Sequence, residues 1–77
     1  MPKISKSKAI QIIKQSSGRF ITIHNIKANG QLRKYSSSIY NDEIHGNLNV
    51  LTRDGYRNIN PDTIFKLSAS KSIYSVA

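Results

Sequence analysis

Turn-forming residues interrupt this chain at short intervals, and that spacing limits it to small elements. Gly18 follows two serines, Gly46 closes a polar stretch, and Asn29-Gly30 and Asp54-Gly55 are tight-turn pairs. In Asn60-Pro61-Asp62-Thr63, proline presets φ and Asn60 can bond the following backbone. From residue 19 onward the runs between these signals alternate with a period of two and are rich in β-branched and aromatic residues, as strands require. Asn-Gly and Asp-Gly between such runs predict hairpins with type I′ turns, whose two central residues both need positive φ. The first hairpin joins residues 20–26 to 32–38, and the second joins 47–53 to 56–59. The stretch 39–46 reads as a loop between them. Residues 64–68 form a fifth strand and 73–76 a short last one, with a polar connection over 69–72.

The first part of the chain has a different period. Ala9, Ile10 and Ile13 make an apolar stripe at helical spacing, Ser5 or Ser7 can cap it, and Ser16-Ser17-Gly18 ends it. A helix over 7–16 is too short to persist alone in water and must dock on the strands. Residues 1–6 are then a basic N-terminal segment, and 19–77 carry the β structure of a single domain. The chain contains no cysteine, so packing and backbone hydrogen bonds must hold it together, as suits a reducing compartment. Short strands joined by tight turns, in a chain too small for two large stacked sheets, predict a mainly β protein. The expected form is a small, partly open barrel of five to six short antiparallel strands with one N-terminal helix. An SH3-like topology fits best, because it places one 3₁₀ turn between its last two long strands, where Asn60-Pro61-Asp62-Thr63 lies.

Four segments carry a resemblance that points the same way: Gly18-Arg19-Phe20-Ile21-Thr22-Ile23, Asn29-Gly30-Gln31-Leu32-Arg33, Gly55-Tyr56-Arg57-Asn58-Ile59-Asn60 continuing to Ile64, and Ile73-Tyr74-Ser75-Val76. Over roughly residues 8–77 the chain resembles small bacteriophage-encoded proteins described as SH3 β-barrel fold-containing. The resemblance implies an SH3-like barrel, a phage origin and the cytoplasm of an infected bacterial host. It bears on fold more than on function. The connection between the two hairpins is shorter here than in those proteins.

Charge narrows the function. Twelve Lys and Arg face four Asp and Glu, for a formal net charge of +8. The distribution is lopsided: eight cations precede Asp42, the first acid, and the rest of the chain is balanced. Such a field attracts polyanions and speeds encounter with them. No apolar run approaches the ~20 residues that cross a bilayer, and the start of the chain has no apolar stretch of signal-peptide type. The expectation is a soluble protein with no membrane partner.

Catalytic chemistry finds little support. There is no thiol nucleophile, no phosphate-binding loop, and no acid–imidazole spacing that matches a metal or acid/base motif. Asp42, Glu43 and His45 read as a solvated loop, and His24 as a packed or edge histidine in its strand. The chain is therefore expected to be no enzyme and to use no cofactor or metal.

Nucleic acid, DNA or RNA, is the favoured partner, bound by charge with weak sequence specificity. Cations would track a phosphate backbone while aromatic rings stack on bases. The residues expected to do so are Lys6, Lys8 and Lys14 on the helix, Arg19, Lys27, Arg33, Lys34 and Tyr35 around the first hairpin, and Arg53, Tyr56 and Arg57 on the second. Packing of the tyrosines at the barrel rim is the competing assignment. The alternative function is a module that docks on a host enzyme or defence complex. Either suits a monomer or a weak homodimer.

Overall fold

The computed structural model describes all residues, 1–77. Strand β1 (Lys3–Ile4) precedes helix α1 (Lys6–Gln15), followed by β2 (Ile21–Ile26), β3 (Leu32–Ile44), β4 (Asn47–Thr52) and β5 (Gly55–Ile59). A 3₁₀ turn (Pro61–Thr63) then leads to β6 (Ile64–Ala69) and β7 (Ser72–Val76). The strands lie in the order β1-β7-β6-β2-β3-β4-β5, and the two outermost, β1 and β5, do not meet, so the sheet stays open.

The long strand β3 bends this sheet on itself. It pairs with β2 as far as Ser38 and with β4 from Ile39 onward. At the handover three steps along β3, Tyr35 to Ser38, face two along β2, Ile23 to Ile21. Ser37 takes a positive φ of 53°, and the Ser38 hydroxyl donates to the Tyr35 carbonyl at 3.2 Å. A bulge of this kind raises the local twist and lets one strand serve a five-stranded half (β1, β7, β6, β2, β3) and a three-stranded half (β3, β4, β5).

Their inner faces share one core. Ile21, Ile23, Ile64, Leu67, Ala69 and Val76 come from the larger half, Leu48, Val50 and Ile59 from the smaller, and Ala9 and Ile13 from the helix. Helix α1 starts where the Ser5 hydroxyl accepts from the Lys8 N–H at 3.1 Å, and it ends as the Ser16 N–H reaches back to Ile12 and Ile13. Ile13 is fully buried. That burial contributes about 1.5–3 kcal/mol to holding an otherwise marginal helix.

Several expectations are corrected. Residues 39–46 are no loop: β3 runs on to Ile44, and His45 and Gly46, at φ 51° and 80°, form the two-residue turn into β4. The stretch looks polar because only Tyr40 packs against the core, while residues 41–44 remain exposed. Conversely, Asn29-Gly30 and Asp54-Gly55 do close hairpins, but only the glycines have positive φ, 86° and 99°. That excludes a type I′ turn and fits a right-handed turn followed by a left-handed glycine. The remaining turn with both central residues left-handed is Ser70-Lys71, at φ 51° and 65°, between β6 and β7.

The N-terminal segment is also structured. Lys3–Ile4 pairs in parallel with β7, the Ser75 N–H donates to the Pro2 carbonyl at 2.8 Å, and Ile4 packs on the core. The sheet therefore has seven strands rather than five to six, and it is mixed rather than wholly antiparallel.

Candidate functional site

Strand alternation decides which side chains leave the core. Ile23 and Leu67 are buried and paired across β2 and β6, so the residues on either side of them in each strand point outward. His24 lies opposite Lys66 on one side and Lys34 on the other. Lys66 lies opposite Ser75, and Ser75 opposite Lys3. The outer face of the five-stranded half thus carries the transverse row Lys34, His24, Lys66, Ser75, Lys3. Adjacent members sit about 4.8 Å apart, the spacing of paired strands. None of the four carboxylates belongs to the strand segments that build this face.

The row has an aromatic neighbour. Phe65 is the extra residue of a second bulge, where β6 advances two residues from Lys66 to Ile64 while β2 advances one from His24 to Asn25. Its ring meets His24 edge-on, with centroids 6.0 Å apart and planes at 61°. Partial burial, then Lys66 and Lys34, hold the His24 imidazole below its ordinary pKa of 6.5. Ile26 and Leu32, paired and exposed, extend this face at one end.

Of the residues expected to bind, Lys34 alone belongs to this row. Lys6 pairs with Asp62 beside the 3₁₀ turn, and Lys14 pairs with Glu43 at 2.7 Å, which raises the lysine's pKa. Two of the three helix cations are thereby engaged by acids from the second half of the chain. Lys8 and Arg19 come together along a cleft at the end of the helix that Tyr74 also lines. Lys27 sits in the β2–β3 turn, and Arg53, in the β4–β5 turn, approaches Lys34 across a small cleft. Arg33 is exposed opposite Asn25. Tyr35 lies opposite Ile23 and packs against the core, as rim packing requires. Arg57 and Tyr56 lie on β5, in the other half. The two hairpins do bring one phenol and one guanidinium together, since Tyr35 and Arg53 line the same small cleft, but Arg33, Tyr56 and Arg57 lie outside it.

His24, Lys66 and Lys3 were missed, although a signal existed. Each lies next to a residue that faces the core, His24 beside Ile23, Lys66 beside Leu67 and Lys3 beside Ile4. What the sequence lacked was the order in which the strands lie.

The outer face of the three-stranded half is chemically different. Asn41 donates its amide to Asn49 at 2.9 Å, and Asn49 donates to Asn58 at 2.8 Å, forming an amide ladder across β3, β4 and β5. The central Asn49 is buried. Beside the ladder runs the apolar row Ile39, Leu51 and Tyr56. No lysine or arginine belongs to either row.

No helix is long and apolar enough to cross a membrane. No family model matches the chain, and no curated protein or solved structure shows significant similarity to it.

Proposed function

We propose that this protein binds nucleic acid electrostatically, with weak sequence specificity, through the outer face of its five-stranded half. The observation that supports this most is the row Lys34, His24, Lys66 and Lys3, with no carboxylate on the segments that build its face. Like charges placed side by side repel, and none of these is in an ion pair, whereas Lys6 and Lys14 are matched to acids. A phosphate backbone lying across the strands meets several cations at once and relieves that repulsion. A sheet face with no inserted helix reads charge and shape rather than base edges, hence the weak specificity. As to fold, the 3₁₀ turn between β5 and β6 and the bent strand shared by both halves support an SH3-like, partly open barrel.

Fluorescence anisotropy against salt tests the binding reading. The paired reversal Lys34→Glu with Lys66→Glu lowers affinity and flattens the log–log salt slope, by about 0.7 per lost contact on a single strand and about 0.9 on a duplex. The pair Lys6→Gln with Lys14→Gln changes the slope little. No association with DNA or RNA at low salt and micromolar protein sinks the proposal.

A second reading, docking on a host protein, draws on the other face. Tyr56 and Leu51 are exposed there, and β5 has an unpaired edge. Capture from nuclease-treated bacterial lysate is expected to retain one stoichiometric protein, and Tyr56→Asp to release it. Retention of none removes this reading.

A further inference from the structure

One step along the strands from the cationic row lies an open groove of about 360 Å³. Thr22, Ser68 and Ile73 cross its floor in register, one strand position beyond the buried pair Ile23 and Leu67. Phe20 stands at its edge and is 69% exposed, with Ile73 48% exposed. The Ser70-Lys71 turn borders the groove as well. It therefore offers an aromatic face, an aliphatic wall, hydroxyl groups and a cation within one small concavity. Lys71 reaches that position from the second place of a two-residue turn in which both central residues are left-handed.

The groove and the row are separated by the step from Thr22 to His24, about 6.8 Å along a strand. A ligand that spans both must carry a flat, partly apolar group with hydrogen-bonding edges within about one nucleotide's reach of a phosphate. A base held in a duplex is stacked and paired on its neighbours, so it cannot enter. From this geometry we infer that the groove is a nucleobase subsite for a single-stranded polynucleotide whose phosphates lie on the Lys34–Lys66 row. The inference rests on the electrostatic reading above and adds strand state and base contact to it.

The test compares oligothymidylate, oligouridylate and an abasic deoxyribose-phosphate strand of equal length, by anisotropy at one fixed salt concentration. The base-bearing strands are expected to bind about five- to 150-fold tighter than the abasic one, the range set by stacking one base. The ratio between them assigns DNA or RNA. Phe20→Ala abolishes this difference while keeping the salt slope, and thermal unfolding of the variant stays unchanged because the ring is exposed. Phe20→Trp preserves the difference, and its fluorescence is quenched by base-bearing strands only. Equal affinity for the abasic strand, or a difference that survives Phe20→Ala, overturns the subsite while leaving phosphate binding intact. Failure of all three strands to bind overturns the electrostatic reading itself.

Discussion

The two outer faces of this small sheet follow the same alternation rule and end in opposite conditions. On the three-stranded half, the Asn49 amide oxygen accepts from Asn41 and its nitrogen donates to Asn58, so the centre of the polar row is satisfied within the protein. On the five-stranded half, Lys34, His24 and Lys66 stand side by side with no acidic partner in the row. The first arrangement stabilises the fold and leaves little for a ligand to do. The second costs stability through repulsion and gains something only when an anion arrives. The difference separates a face that holds the sheet from a face that is available for binding.

The largest effect expected from breaking this contrast is on stability. Asn49→Ala removes both ladder hydrogen bonds at a buried site and is predicted to cost about 2 kcal/mol, at about 1 kcal/mol per bond. Urea unfolding measures it; an unchanged midpoint means that the ladder is ornamental. Affinity for nucleic acid is expected to stay the same.

A smaller effect concerns the turns. The two-residue turn of the amide half places Gly46 at its second position, whereas the corresponding turn of the cationic half places Lys71 there. Lys71→Gly makes the two alike. It is predicted to stabilise the protein by about 0.5–1 kcal/mol through relief of left-handed strain, and to weaken polynucleotide binding. Thermal unfolding and anisotropy on the same variant separate the two effects, and a loss of stability contradicts the strain argument.

The smallest effect is that of pH, and it belongs to the cationic face. His24 is held below its ordinary 6.5, so the unfolded chain binds this proton first as pH falls. The stability contributed by the neutral imidazole is full above pH 6.5 and is lost as pH drops through the folded value. Lys66 and Lys34 face the ring from β6 and β3, and Lys66→Met is expected to raise the pKa. A bound phosphate raises it too, so affinity increases on acidification. Titration of the His24 ring by NMR, with and without oligonucleotide, follows both shifts, and no upward movement on binding removes the histidine from the interface.

Much of the fold was legible because it is written locally. The Ser5 cap, the apolar stripe of the helix, the two glycine-closed hairpins and the Asn60-Pro61 turn depend on neighbours within a few residues, and each formed near its expected place. The exceptions are also physical. The second half of β3 carries polar residues because its positions near the rim stay wet, which hid a strand inside an apparent loop. The His45-Gly46 and Ser70-Lys71 turns lack the usual pair signals and take their left-handed geometry from the strands they join.

The candidate site was far less legible. The sequence by itself determined the sign of the charge, the strand and turn rhythm, and which residues of a strand share a side. It did not determine which strands are neighbours. That decision brought Lys3, Lys34 and Lys66 from three distant segments into one row, and sent Asp62 to Lys6 across 56 residues and Glu43 to Lys14 across 29. Parity within a strand is a local property of the pleat, but a shared face and a matched charge depend on sheet order, bulges and the docked helix, which form only when the core closes.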